Sequence, residues 1–394
     1  MLKTIWKVAT REFKCIYRDK KVLVILLLLP IFYAVLFGYL YSENVVTGIK
    51  TAVVNHSPSQ LSRNIIEGFN KSEKFNLKMQ LKDENEIKTY IENGEIDAAI
   101  IIPKDFTRDI KKGKNSDILI IVNGTNMLIS NSTMTNALQI VETYSTGIAI
   151  KKYQAQGVFK ELAYESAKPI SFKIRPWYNP TFNYTNFLLL GLIATAIQQI
   201  TLMYVAISIA KEKERGTIKE LLSFSDRAVP LVLGKILPYF LSAAFTLSMA
   251  AMVGFKVFNI PMRGNFFVLL ALGTAFILCI TALGVMLSII CRNELEATQL
   301  SMLVAVPSFL FSGYTWPLQS MPVPCQVIAK MLPLTYFAES FRRIALMGIG
   351  FEHITQNAYI LGSLGIIFTI IAIVSFKIKY MKGKTSLGQV SAEI

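Results

Sequence analysis

The chain has 394 residues, 53% of them hydrophobic, and a mean hydropathy of +0.44, which is too apolar for a water-soluble protein. Its formal net charge is +15. The basic residues gather beside apolar runs, where an anionic inner leaflet attracts them, so nucleic-acid binding is disfavoured.

Residues 2–17 carry Leu2, Ile5, Trp6, Ala9, Phe13, Ile16 and Tyr17 on one helical stripe. Lys3, Lys7, Arg11, Lys14 and Arg18 line the other side. A basic amphipathic helix with Trp and Phe on its apolar face is expected to lie in the membrane interface, with no soluble domain for it to pack on. It fills the cytoplasmic segment 1–21.

Six stretches approach or exceed the roughly 18–20 apolar residues that a bilayer crossing needs. They are Val22–Tyr41, Phe187–Ala210, Val229–Phe255, Phe266–Cys291, Ala297–Trp316 and Tyr359–Phe376. The first is expected to be a retained anchor over 22–41. It is longer than the roughly 7–15 residues of a signal-peptide core, and Leu40-Tyr41-Ser42 is not a small-x-small cleavage site. In the short connecting segments, one side holds eighteen Lys and Arg and the other five. The positive-inside rule therefore puts both termini and the 211–235 loop in the cytoplasm.

Residues 42–182 read as an extracytoplasmic α/β domain. Strands are predicted at Thr51–Asn55, Phe75–Leu81, Ala98–Ile102 and Ile118–Val122. Between them lie helices at Gln60–Asn70 and Glu84–Asn93, and a short one from Pro103 to Lys112. Residues 128–165 read as one longer helix returning toward the membrane, and Trp177 and Tyr178 suit an interfacial belt. The domain has no cysteine and is not a disulfide scaffold. His56, Asp97 and Asp105 read as turn and cap residues.

Residues 183–376 hold the remaining five spans. Within them, Lys211–Leu222 is charged yet regularly patterned, with Ile218, Leu221 and Leu222 on one helical face and Lys211, Lys213, Arg215 and Lys219 among Glu212, Glu214 and Glu220. A helix with an apolar face to lay down and a charged face to be recognised suits docking of a cytoplasmic partner. The outer stretch 316–358 is broken by Pro317, Pro322, Pro324 and Pro333. Its helical part, Leu334–Met347, carries Glu339, Arg342 and Arg343, which favours a re-entrant or interfacial segment over another span. Residues 377–394 form a cytoplasmic tail.

Catalytic chemistry is missing from the sequence. It holds no HExxH or CxxC, and His56 and His353 stand far apart. Gly383-Lys384-Thr385 has the ending of a P-loop, but position 378 is isoleucine. The spans are nearly free of acids, unlike those of ion-coupled carriers. Their neutral polar positions include Gln198, Gln199, Gln299 and Ser301, which are candidates to line a pathway or to join helices.

Four places resemble the ABC-2 type permeases, the membrane subunits of bacterial exporters of drugs, lipids and polysaccharides. They are Glu214-Arg-Gly-Thr-Ile-Lys-Glu-Leu-Leu222 with Pro230 and Leu233-Gly-Lys-Ile236; Phe311-Ser-Gly-Tyr-Thr-Trp-Pro-Leu-Gln-Ser-Met-Pro322; Leu332-Pro-Leu-Thr-Tyr-Phe-Ala-Glu-Ser-Phe-Arg-Arg343; and Arg18-Asp19. Gly94–Pro103 and Asp105–Asp109 resemble the subgroup with a large outer domain between its first two helices, and Asn123-Gly-Thr departs from its more usual Asp-Gly-Ser/Asn.

The resemblance implies an α-helical polytopic membrane protein of six transmembrane helices with an inserted α/β extracytoplasmic domain, in a bacterial inner membrane. It further implies a half-transporter that pairs with a second copy or paralogue and exports amphiphilic, drug-like or lipid-type substrates. On this reading the chain is not an enzyme and binds no cofactor. ATP and magnesium belong to a separate ATPase subunit, which docks on Glu214, Arg215, Gly216, Thr217, Ile218, Glu220, Leu221 and Leu222. A periplasmic adaptor is a further implied partner. The competing class is a non-transporting membrane anchor of the same layout, which would not need the 211–222 pattern.

Overall fold

The computed structural model describes residues 1–42, 46–167, 177–179 and 183–381. Two compact units divide the chain: one holds residues 1–44 and 176–394, the other residues 45–175.

The helical unit begins with α1 (Leu2–Arg18) and α2 (Lys20–Leu40), which are separated by one residue, Asp19. The Asp19 backbone leaves helical geometry, and its carboxylate accepts the Val22 amide at 3.3 Å, so a single residue both ends one helix and caps the next. The apolar stripe of α1 is not given wholly to a membrane interface. Val8, Ala9 and Ile16 are buried in the protein, whereas Leu2, Trp6 and Tyr17 stay exposed at 82%, 65% and 75%.

The second unit follows in chain order: β1 (Ile49–Asn55), α3 (Gln60–Lys71), β2 (Phe75–Leu81), α4 (Asn85–Glu92), β3 (Ala98–Ile102), α5 (Phe106–Lys111), β4 (Leu119–Val122), α6 (Met127–Ala155) and α7 (Lys160–Ala167). The sheet order is β2-β1-β3-β4, with β1 parallel to both neighbours and β4 antiparallel to β3. All five residues of β3 are buried, as expected of a central strand covered on both faces. Phe69, Phe75, Ile65, Ile100 and Ala137 form the core between the sheet and the helices α3 and α6. The single helix expected over 128–165 is two, because the chain turns at Gly157 with φ +85°.

The helical unit resumes with α8 (Tyr184–Glu214), α9 (Ile218–Ser223), α10 (Ala228–Lys256), α11 (Phe266–Ile290), α12 (Glu294–Phe311), α13 (Val323–Met331), α14 (Pro333–Arg342) and α15 (Thr355–Phe376). Among the described residues, five helices are long and apolar enough to cross a bilayer: α2, α8, α10, α11, and α15 with its extension to Met381. The molecule is thus mostly helical and built as a polytopic membrane protein. The stretch expected as a fifth span, Ala297–Trp316, is helical only to Phe311, and α12 opens with Glu294 and Glu296 in its first turn. At the other end of the bundle, α14 is drawn into the core, where Phe337 stacks on Phe276 with ring centroids 4.2 Å apart. Leu334, Phe341 and Ile344 are fully buried beside it.

Candidate functional site

The segment 211–222 is two helices rather than one. Lys211–Glu214 is the last turn of α8, and α9 begins at Ile218. Between them Gly216 takes φ +74°, a left-handed conformation that residues with a Cβ rarely adopt, and α8 ends there. Leu221 is fully buried, and Ile218 and Leu222 pack half-buried around the same cluster, which fixes the apolar face read from the sequence. Glu214, Arg215, Gly216, Lys219 and Glu220 are exposed, and Thr217 sits half-buried at the N-cap of α9.

The exposed charges also have partners inside the chain. Glu214 Oε2 accepts the Glu294 amide at 2.9 Å, and Arg215 lies 3.8 Å from the Glu294 carboxylate, so the α8–α9 turn is tied to the start of α12. Glu220 Oε2 accepts from Arg11 Nη2 at 3.3 Å, which ties α9 to α1. Lys213, expected to present charge outward, instead donates to the Ser288, Ile289 and Cys291 carbonyls at 2.6, 2.9 and 2.5 Å. Lys379 donates to the Ile289 carbonyl at 2.7 Å. Two ammonium groups therefore serve the negative end of α11, where the unpaired carbonyls of a helix terminus collect.

Behind this surface lies a buried charge network that the sequence reading missed. Lys235 of α10 donates to Glu12 Oε2 at 2.6 Å and to Glu212 Oε1 at 2.8 Å. Its third contact is the Ser208 carbonyl at 3.3 Å. Tyr239 donates to Glu12 Oε1 at 2.9 Å, and Arg11 Nη1 donates to Glu212 Oε1 at 2.7 Å. Burial alone would lower the pKa of Arg11, but the charge and hydrogen bond of Glu212 outweigh it and raise the pKa.

The network joins α1, α8 and α10, and through Arg11 it reaches α9. Two features let the helices approach. Gly234 of α10 faces Val8 so closely that an added Cβ would stand 2.6 Å from the Val8 Cβ. Glu12, the one acid in residues 1–18, falls on the face of α1 turned inward. A lone acid on a basic helix and a lysine about two turns inside an apolar run were the signals available in the sequence.

The four neutral polar candidates lie on two helices, Gln198 and Gln199 on α8 and Gln299 and Ser301 on α12. Gln198 is buried on α8, and its Oε1 has no hydrogen-bond partner. Gln199 is half-buried and Gln299 exposed. Ser301 is buried and donates to the Thr298 carbonyl of its own helix at 2.8 Å. Among the described residues, no cluster of His, Cys, Asp or Glu has the arrangement to hold a metal ion.

The family model described as ABC-2 family transporter protein matches residues 20–374. Over 348 residues the chain is 24% identical to the Escherichia coli protein named probable multidrug ABC transporter permease YbhR, covering 88% of this chain and 90% of that one. Its identity to the probable multidrug ABC transporter permease YbhS of the same organism is 23%, over 86% of this chain and 87% of the relative. The E. coli inner membrane transport permease YhhJ is 24% identical over 95% of this chain and 97% of its own length.

Proposed function

The chain belongs to the ABC-2 transporter family, and on that premise we propose that it is the membrane half of an ATP-driven exporter, with the α8–α9 turn as the seat of its ATPase. The supporting observation is the form of that turn. Gly216 projects a tip of exposed charge, Glu214, Arg215, Lys219 and Glu220, while Leu221 anchors the tip in the helical body. A surface built this way presents hydrogen-bonding charge to a partner and passes a push into the bundle. Under this reading the tip faces the cytoplasm of a bacterial inner membrane, α12 acts as the sixth span, and the second unit lies outside. A second copy or paralogue completes the pathway. ATP and magnesium are held by the partner ATPase, and the permease itself catalyses no reaction. The substrate class is amphiphilic, drug-like or lipid-type, in keeping with the multidrug names of YbhR and YbhS. A periplasmic adaptor would meet the second unit.

The test is affinity purification of the tagged protein from its host in mild detergent, with Lys219 and Glu220 native or both reversed in charge. Co-purification of a P-loop ATPase with the native protein, and its loss from a reversed variant that still elutes as a monodisperse species, is the expected result. Absence of an ATPase from native preparations in several detergents sinks the proposal and favours a non-transporting anchor. Reversal that leaves ATPase recovery unchanged places the docking surface elsewhere.

A further inference from the structure

In the second unit, a cavity of about 360 Å³ opens between α3 and α6. Gly68 and the C-cap Ser72 line it from α3, and Asn136, Gln139, Thr143 and Tyr144 line it from α6. Gly68 lets the two helices meet here, because an added Cβ would stand 2.4 Å from the Tyr144 ring. Among the described residues, no charged side chain lines the cavity. On the adjoining turn of α3, Glu67 and Lys71 pair with each other at 2.7 Å.

We propose that this cavity binds a neutral saccharide unit, with the Tyr144 ring against its C–H face and the amides of Asn136 and Gln139 on its hydroxyls. Much of the hydrogen-bonding capacity here is not spent within the protein. Asn136 gives its side-chain nitrogen to the Ser132 carbonyl at 2.7 Å, and no donor reaches its Oδ1 among the described residues. The Gln139 carboxamide and the Tyr144 hydroxyl make no hydrogen bond among the described residues. Thr143 donates to the Gln139 main-chain carbonyl at 2.8 Å and can still accept.

The mixture of donors and acceptors decides the ligand class. A sugar hydroxyl both donates and accepts, and carboxamides and hydroxyls answer both demands. A charged ligand would give up hydration and meet no opposite charge on these walls. A wholly apolar one would cover the amides and leave them unpaired. Tyrosine adds an apolar ring with a polar tip, which matches a pyranose with its C–H face and its rim of hydroxyls. The volume lies at the small end of the range for ligand sites, which suits a single ring.

The test is saturation-transfer difference NMR of the full chain in a polyoxyethylene detergent, which has no sugar headgroup. Methyl glucoside and N-acetylglucosamine are the neutral probes, with glucuronate and protonated glucosamine as their charged counterparts. Two variants are compared: Q139A/Y144F, which removes an exposed amide and a hydroxyl while keeping the ring on Gly68, and T135A/S145A, at exposed α6 positions that do not line the cavity. A neutral probe is expected to bind saturably and more tightly than its charged counterpart. Q139A/Y144F should weaken it by roughly tenfold or more at an unchanged melting temperature, with T135A/S145A near native. No saturable signal from either neutral probe, equal binding of the charged ones, or equal weakening by both variants overturns the proposal. Competition by dodecyl maltoside far beyond that by maltose makes the source a glycolipid headgroup, and equal competition makes it a soluble glycan; both outcomes uphold the saccharide site.

Discussion

Replacing Lys235 with methionine removes the one cation that, among the described residues, pairs with Glu12. The Lys235 side chain is 1% exposed, Glu12 6% and Glu212 10%. At an effective dielectric of about 20, each of the two contacts represents roughly 6 kcal/mol of attraction, most of it offset by the desolvation of three charges. The net effect is set by what remains after the substitution. Glu212 keeps Arg11, but Glu12 keeps only the Tyr239 hydroxyl, and an orphaned buried charge costs about 3–5 kcal/mol. For a chain of 394 residues that corresponds to a fall of about 4–6 °C in apparent melting temperature. Fluorescence-detected size exclusion of heated detergent samples gives that number. Limited proteolysis of the first 18 residues shows whether α1 leaves first. Removing the carboxylate as well, in E12L/K235M, is expected to recover most of the loss, since an apolar replacement of the whole pair leaves nothing unpaired. A single variant that melts within about 2 °C of native, or a double variant no better than the single, refutes the reasoning.

Gly234→Leu should undock α1, because no rotamer avoids Val8 across the close approach, and faster proteolytic release of the N-terminal helix measures this. Gly216→Ala forces a Cβ into left-handed backbone at a cost of about 1 kcal/mol, and it should reduce transport-coupled ATPase activity more than it reduces thermal stability. Phe69→Ala leaves a cavity between α3 and the sheet, where the ring meets Phe75 edge-on at 5.1 Å, and it should cost the second unit about 3–5 kcal/mol, read as raised protease sensitivity confined to residues 46–167. Swapping charge as R215E/E294R should retain the native melting temperature, whereas R215E alone brings two carboxylates together beside the turn and should lower it by about 1–2 °C.

What could be read from the sequence follows how local each cause is. The strands Phe75–Leu81 and Ala98–Ile102 were predicted at their observed limits, because apolar runs bounded by turn residues leave few alternatives. The antiparallel course of β4 has no local signature; it depends on how a chain segment returns to the sheet. Periodicity placed Leu221 inward but did not split 211–222, although the glycine at 216, which costs a helix interior about 1 kcal/mol, was the one local signal of a break. The Lys235 network was the least legible. Glu12 and Lys235 are 223 positions apart, and on an amphipathic helix a charge is ordinarily read as facing water.

The same distance in sequence gives the network its mechanical consequence. If a partner pushes the α8–α9 tip, Leu221 and the Arg11–Glu220 pair carry the displacement into α1, and Glu212 carries it along α8. Neither helix can tilt alone while Lys235 holds Glu12 and Glu212 together, because separating them exposes a bare charge to a dry interior. The elements α1, α8 and α10 are therefore tied together at this end of the bundle by one buried set of charges.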